Sequence, residues 1–498
     1  MFKKILIANR GEIALRVIRA CREMGIATAA VYSAVDRGAR HVQAADEAVA
    51  IGPAPALESY LNIDALVAAA AATGAEAVHP GYGFLAENPR FAARCREAGL
   101  VFIGPDARAL ALVGDKVASR RTAAGIRAPL IPGMMSPGKS LRDFEEAVAG
   151  IGYPVLVKAS GGGGGKGMHI VRTPGDLQAA VETSRRESRS AFGDDAVYLE
   201  KYLERPRHVE FQVLADQHGS VVHLFERECS IQRRHQKIVE ETPSAALDHD
   251  LRRRMGATAV AIIRATGYTN AGTVEFLLDE DRNFYFLEVN ARIQVEHPIT
   301  EMVVGVDLVK QQIRIAAGEP LPFRQEDLKQ RGHAIECRIY AENPEQGFLP
   351  SPGKILLVSE PEGPGIRCDS GIYPGIDITS HYDPILSKLI VWSEDRDSAR
   401  CRMISALNDY IILGIPTTVG FLADVLSHPE FAAGATHTHF IEQHFPHWRP
   451  AADPGSLEMA LIAAALSGGR AREAGRQAGN TNETTPWQTV GKWVIGGE

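Results

Sequence analysis

Residues Glu288 to Glu301, EVNARIQVEHPITE, space Glu288, Asn290, Arg292, Gln294 and Glu296 two apart. Alternate residues of an extended strand share one face, so an acid, an amide, a guanidinium, a second amide and a second acid would stand in a row. Such groups ligate a hard cation, clamp an anion and accept a proton; an ordinary wet strand face carries Thr, Ser and Lys instead. At a rise of about 3.3 Å per residue a straight run would part Glu288 from Glu296 by roughly 26 Å, so the segment must bend or serve two adjoining subsites. Upstream, GTVEFLLDEDRNFYFLEVN sets two apolar runs around Asp279 to Asn283, a hairpin signal. A hairpin centred between Asp281 and Arg282 puts Glu275 directly across from Glu288. Opposed side chains lie about 4.5–5.5 Å apart at Cβ, and like charges there repel unless a cation lies between them. Two carboxylates and the amide oxygen of Asn290 make an oxygen-only, incomplete shell that suits Mg²⁺.

A phosphate partner is written into YPVLVKASGGGGGKGMHIV, where a strand holding Lys158 runs into Gly161 to Gly165 and then Lys166. Backbone N–H groups of side-chain-free residues can close around phosphate oxygens. A P-loop is excluded, because Gly167 follows Lys166 where Ser or Thr is required and the next residues read as strand. The strand-like flanks PVLVK and MHIV argue for a hairpin rather than a linker. YLEKYLERPRHVEFQVLAD adds Glu200, Lys201 and Leu203 on an apolar connector ahead of a strand with His208. ECSIQRRHQKIVEE adds Gln232, Arg233, Arg234, His235 and Lys237 between acidic ends. Together these read as an ATP- and Mg²⁺-dependent enzyme that handles a small anion.

The blocks ILIANRGEIALRVIRACREMG, HPGYGFLAEN, KASGGGGGKGM, EKYLERPRHVEFQV, CSIQRRHQKIVEE, EVNARIQVEHPITE and GHAIECRIYAENP, in this order, resemble biotin carboxylase of the ATP-grasp superfamily, from the N-terminus to about His447. The resemblance implies formation of carboxyphosphate from MgATP (or MnATP) and bicarbonate, then carboxyl transfer to N1′ of a carrier-bound biotin. It implies ATP contacts at Lys116, Lys158, Gly164, Gly165, Glu200, Lys201, Leu203, His208, Gln232 and His235, and metal ligands at Glu275, Glu288 and Asn290. It assigns Lys237, Arg292, Gln294, Val295 and Glu296 to bicarbonate, and Tyr82, Gly83 and Arg338 to biotin. Catalysis would rest on Lys237, Arg292, Glu296 and Arg338: Glu296 a base, Arg292 a planar anion clamp, Arg338 a lasting positive charge for a ureido oxyanion. His169, where relatives commonly carry Arg, TPSAA at Thr242 to Ala246 and Tyr340 depart from the family pattern. The rivals are another ATP-grasp ligase, which should lack Arg338 and RIQVEH, and a non-catalytic nucleotide-binding subunit, which should have lost Glu288, Lys237 or Glu296.

The elements that must position these groups are α/β. Ile5 to Ala8, a helical spacing through Ala14, Val17, Ile18 and Cys21, a stop at Gly25 and a strand over Ala29 to Tyr32 make a βαβ unit, a Rossmann-like open sheet. Its turn holds only Gly11 and not GxGxxG, which disfavours a dinucleotide. HPGYGFLAEN closes a strand at Val78 and enters a helix after Asn88, leaving Tyr82 and Gly83 where open α/β sheets present ligands. The expected domains are 1–114, an ATP-grasp domain over 115–331 with a lid at about 133–203, a mixed α/β domain over 332–447, and a Gly-rich, linker-like tail over 448–498.

A chain of 498 residues, 45% hydrophobic, implies several cores. The net charge of −7 disfavours a nucleic acid partner. Six scattered cysteines without a CxxC pair indicate a reducing compartment and no structural zinc, with Cys229 a buried thiol. Ala65 to Ala72 is too short to span a bilayer, and the opening MFKKILIANRGE is no leader, so a cytoplasmic protein away from membranes is expected. No AMKM-like segment follows Pro450, so the biotinyl-lysine is expected on a separate carrier protein. The resemblance further implies a free-standing, homodimeric subunit beside a carboxyltransferase, as in acetyl-CoA carboxylase, with an acyl-CoA or pyruvate as acceptor.

Overall fold

The structure, a computed structural model, describes residues 1–134, 136–159, 168–192, 195–234, 236–451, 458–459 and 462. It divides into Met1–Trp448 and Arg449–Glu498, and the account below concerns the first unit. Most of the expected tail and the expected ATP contacts at Gly164, Gly165 and His235 lie outside the described residues.

The N-terminal sheet is parallel. Strands β1 (Lys4–Ile7), β2 (Ala27–Ser33), β3 (Glu47–Gly52), β4 (Ala77–His79) and β5 (Val101–Phe102) lie in the order β3-β2-β1-β4-β5. Helix α1 (Gly11–Glu23) joins β1 to β2 as the βαβ pattern predicts, burying Ile13, Ala14, Val17, Ile18 and Cys21. The alanine-rich stretch is inside α2 (Ile63–Thr73), which Gly74 ends in the left-handed region at φ 65. Asn88 caps α3 (Pro89–Glu97), its side chain accepting from Arg90 and Phe91 N–H, so HPGYGFLAEN is a loop between β4 and α3.

Asp115 caps α4 (Lys116–Gly125), and a small separate core follows in the expected lid. There β6 (Val155–Ala159) is flanked antiparallel by β7 (His169–Val171) and β8 (Val197–Lys201), under α5 (Leu141–Ile151) and α6 (Leu177–Phe192). The two flanks of the glycine run are thus paired strands, as their sequence suggests. Glu200 and Lys201, expected on a connector, are the last residues of β8; the connector begins after them.

The main sheet has eight strands, all antiparallel: β9 (Arg207–Ala215), β10 (Val221–Arg233), β11 (Gln236–Thr242), β12 (Asn270–Leu278), β13 (Phe284–Asn290), β14 (His333–Tyr340), β15 (Ile366–Ser370) and β16 (Ile385–Ser393), in the order β13-β12-β9-β10-β11-β14-β16-β15. It runs without a break across the expected 331/332 boundary, because β14 pairs with β11 on one side and β16 on the other. One face packs α7 (His249–Thr266) in the β9–β12 half, and further along it packs α9 (Arg396–Asp409) and α10 (Val419–Ser427). The other face carries the chemistry, and α8 (His297–Val304) lies across its β14–β16 end through Ile299, Val303, Ala334 and Ile390.

Candidate active site

The polar run of EVNARIQVEH is not one strand. β13 ends at Asn290, and Arg292 to Glu296 form an irregular crossing that delivers Glu296 to the N-terminus of α8. The bend that strand length demands therefore falls after the second of the five residues. Glu275 does face Glu288 across the β12–β13 ladder, by a different route from the one expected. The turn pairs Leu278 with Phe284, one residue out of the expected register, and a bulge between Glu275 and Phe276 restores the offset.

Lys237 is the hub of the site. Its ammonium donates to Glu210 Oε2 at 2.5 Å, Glu275 Oε1 at 2.8 Å and Glu296 Oε1 at 2.8 Å. Burial alone would drive a lysine towards neutrality, but three carboxylates outweigh it and hold the pKa well above the usual lysine range. Glu296 gives its other oxygen to Arg338 Nη2 at 2.9 Å, and Arg338 Nε donates to Glu240 at 2.6 Å. Burial pushes the Glu296 carboxyl up, yet Lys237, Arg338 and Arg227 together carry it well below the carboxylate range. Glu275 follows the same logic: Lys237 and His208 overcome burial and hold its carboxyl low. His208 Nε2 stands 3.1 Å from Glu275 Oε2, and Gln232 fixes the other ring nitrogen at 2.7 Å.

Glu210, which lies within one of the motifs, and Arg227, which lies just ahead of another, were missed by sequence reasoning and support this hub. Arg227 is wholly buried and donates to Glu210, Gln212, Thr300, Thr273 and Gln294. Gln294 in turn donates to Glu275 Oε1 at 3.0 Å, so it links the two carboxylate groups. The signal for Glu210 is present in HVEFQV, whose His208, Glu210 and Gln212 alternate on one face of β9. Glu87, in the HPGYGFLAEN loop, accepts from Ala291 N–H at 2.8 Å and from Arg292 Nε at 3.0 Å. Arg292 Nη2 then donates to Asn290 Oδ1 at 2.8 Å, so the expected anion clamp is tied to an expected metal ligand.

The same loop holds Tyr82. Asn9 donates to the carbonyls of Pro80 and Tyr82, each at 2.7 Å, and Gly81 adopts φ +63 with no room for a Cβ beside Asn9. Tyr82 donates to Glu12, Glu12 stands 3.2 Å from Lys388, and Lys388 donates to the Val295 carbonyl at 2.9 Å. Val295 therefore contributes its backbone, and a buried lysine of β16 links the Tyr82 loop to the Arg292–Glu296 crossing. Burial raises the Glu12 carboxyl to about 7.

The end expected to hold the nucleotide is looser. Lys116, at the start of α4, lies 4.0 Å from Glu288, whose side chain keeps 39% of its surface open. Partial desolvation and the charge of Glu275 raise the Glu288 carboxyl, the repulsion anticipated from the hairpin register. Lys158 and Arg120 both donate to Glu200, which is 2% exposed. Lys201 turns its ammonium to the carbonyls of Gly152 and Tyr153 at 3.2 and 2.9 Å, within the lid rather than towards Lys237, and Leu203 is half-buried on the connector. His169 pairs with Glu187 at 3.0 Å. Thr242 and Ser244 of the TPSAA segment hydrogen-bond Glu226 and Glu228, bracing the β10–β11 hairpin from behind.

The donors Glu275, Glu288 and Asn290 fit a hard divalent cation: all are oxygen ligands, two are facing carboxylates, and one is open at the surface. Among the described residues His208, Glu210 and Glu275, and Glu210, Cys229 and Glu296, also bring ligand atoms within 4.8 Å. Those two clusters already hold Lys237 and Arg227 as their cations. Burial pushes the Cys229 thiol well above its usual range, so it is an inert core group.

A three-stranded lid set against a carboxylate- and lysine-lined antiparallel sheet defines an ATP-grasp ligase. Residues 115–324 match the family described as carbamoyl-phosphate synthase L chain, ATP binding domain. Residues 1–110 and 336–443 match the biotin carboxylase N-terminal and C-terminal domains. The biotin carboxylase of Nostoc sp. is 52% identical over 442 residues, covering 89% of this chain and 99% of its own. A pyruvate carboxylase subunit of Methanothermobacter thermautotrophicus is 54% identical over 446 residues, 89% of this chain and 90% of its own. The biotin carboxylase domain dimer of Hydrogenobacter thermophilus 2-oxoglutarate carboxylase, solved with MgADP, ADP and bicarbonate, superposes with a TM-score of 0.85 at 48% identity, covering 91% of this chain and 100% of that one. The chain belongs to the biotin carboxylase family.

Proposed function

We propose a division of labour within this site for the family's reaction, the ATP- and bicarbonate-dependent carboxylation of biotin with formation of ADP. One observation carries it: the two oxygens of Glu296 are shared between Lys237 and Arg338, beside the clamp Arg292 and the facing acids Glu275 and Glu288. Glu275, Glu288 and Asn290 would hold Mg²⁺ or Mn²⁺, which when bound neutralises phosphate oxygens. Lys116, Lys158 and Lys237 add positive charge to the phosphate path, and Glu200 with Lys201 and Leu203 forms the adenine side of the lid. Bicarbonate lies between Arg292, Gln294, the Val295 backbone and Glu296. Held by two cations Glu296 is a poor base, and it gains basicity once Arg338 turns away to the biotin ureido oxygen. Tyr82 and Gly83 border that biotin side.

The relatives named biotin carboxylase are matched over nearly their whole length, which supports a separate biotin carrier protein as partner. The Hydrogenobacter domain is a dimer, and the same assembly is proposed here, in a cytoplasmic complex with a carboxyltransferase subunit. No helix among the described residues is long and apolar enough to cross a membrane. The test is ATP cleavage by the purified chain: bicarbonate and free biotin should together stimulate it. Turnover indifferent to both would move the chain to another ATP-grasp ligase activity.

A further inference from the structure

Arg338 is held from behind by Glu240, whose second oxygen, Oε2, has no hydrogen-bond partner among the described residues. Directly across the β11–β14 ladder stands Glu336, fully buried, with neither carboxyl oxygen partnered. Side chains so opposed lie about 4.5–5.5 Å apart at Cβ. Three orphaned oxygens thus line one layer of wall behind the biotin-side arginine, under the apolar cover of α8.

The neighbouring cations are all engaged. Lys388, across from Arg338 on β16, meets Glu12 at 3.2 Å and Asp369 at 3.9 Å; Lys237 meets Glu210, Glu275 and Glu296; Arg338 meets Glu240 and Glu296. Glu336 therefore faces Glu240 of β11, Glu296 at the α8 N-terminus, Arg338 of its own strand and Lys388 of β16, with no positive charge left for itself. An unpaired carboxylate there is costlier than a bound proton. Burial accordingly drives the Glu336 carboxyl well above the carboxylate range and lifts Glu240 to about 7. The other titratable groups near Glu240, namely Cys229, Cys337 and Tyr340, are pushed up by burial and stay neutral.

We propose that Glu240 and Glu336 form a positioning pair for Arg338: Glu336 stays a carboxylic acid and turns its O–H to the unpartnered oxygen of Glu240, which keeps Glu240 an anion that grips Arg338 through Nε. Nη2 is then free to leave Glu296 for the ureido oxygen while Nε stays on Glu240. The inference rests on the reading of Arg338 as the biotin-side group. The anion is the working form, so biotin carboxylation falls as pH drops through the titration of Glu240, which burial raises and the Glu336 O–H lowers.

The experiment compares biotin carboxylation with biotin-independent, bicarbonate-dependent ATP cleavage across neutral pH, using the full chain and checking each variant by thermal unfolding. Glu240→Gln should lower carboxylation roughly 10–100-fold, with a much smaller loss of biotin-independent cleavage, and should erase the acid limb. Glu336→Leu should move that limb to higher pH, and Glu336→Gln, which restores an N–H donor, should bring it back towards the parent. Parallel loss of both reactions in Glu240→Gln, an unchanged acid limb, or identical behaviour of the Leu and Gln variants at 336 overturns the pair. If Glu336→Leu does not fold, the Glu240→Gln profile decides alone. Arg338→Ala separates the two readings: carboxylation that survives it removes the biotin-side assignment itself, whereas carboxylation that it abolishes but Glu240→Gln spares removes only the pair.

Discussion

At the proposed nucleotide end Lys116 stands 4.0 Å from a half-open Glu288, and Lys158 is drawn to Glu200 in the lid; at the proposed bicarbonate end Lys237 holds three buried carboxylates at 2.5–2.8 Å and Arg338 braces a fourth. The first arrangement is divided between two bodies of secondary structure, one the small lid and one the main sheet. The second is built almost wholly on one sheet and the crossing that leaves it. A small anion offers few atoms to grip, so its site must be fixed in advance by groups that are themselves fixed. A nucleotide brings a large surface and a metal of its own, and a lid that must open cannot keep its charges tightly paired to the sheet.

This contrast can be broken most severely at Lys237. Lys237→Met leaves Glu210, Glu275 and Glu296 buried with one cation fewer, and removing one partner of a buried ionic cluster costs about 3–5 kcal/mol. Denaturant unfolding should show a loss of that size together with loss of activity; unchanged stability would mean that the cluster is not preorganised. Next in size is Glu296→Ala. It removes the proposed base but neither phosphate nor metal contacts, so bicarbonate-dependent turnover should fall by on the order of 10²–10⁴, with ATP affinity within a few-fold. Loss of nucleotide binding in that variant would merge the two ends into one.

How far the sequence reveals each end follows from the same contrast. Groups on strands are legible, because period-two alternation places Glu288 with Asn290, and the hairpin pairs Glu275 with Glu288, although a bulge rather than the expected turn sets the register. What depends on partners from distant segments is not. The break after Asn290 has no Gly or Pro to announce it; it is imposed by Glu87 of a distant loop, which accepts the Ala291 N–H and holds Arg292. Arg227, between two acids, and Lys388, in an apolar run, look like ordinary strand residues, since their partners come from segments tens to hundreds of residues away. Lys201 is assigned to ATP by resemblance alone, and tertiary packing turns its ammonium to Gly152 and Tyr153.

A smaller effect is expected at the open end. Glu288→Gln removes one of two facing charges, so Mn²⁺ affinity of the chain, read by titration without turnover, should weaken by about 10–100-fold, and added Mg²⁺ should restore activity only in part. The same variant should relieve the repulsion with Glu275, leaving thermal stability equal to or above that of the parent. Normal metal affinity would exclude Glu288 from the ligand set.

The smallest effect, and the one that sharpens the comparison most, is expected from Glu87→Gln. Glu87 lies in the Tyr82 loop, yet its two bonds go to Ala291 and Arg292, so it ties the proposed biotin side to the proposed bicarbonate clamp without belonging to the proposed nucleotide end. A glutamine can accept from only one of those N–H groups, and its amide N–H₂ opposes the other. Arg292 keeps its bond to Asn290, so the clamp is loosened rather than lost. A charge-assisted hydrogen bond of this partly exposed kind contributes about 1 kcal/mol, and the KM for bicarbonate should therefore rise by about 3–10-fold while the KM for ATP stays level. A shift confined to ATP, or equal for both substrates, would show that Glu87 steadies the whole site and that the bicarbonate end is no more independently built than the nucleotide end.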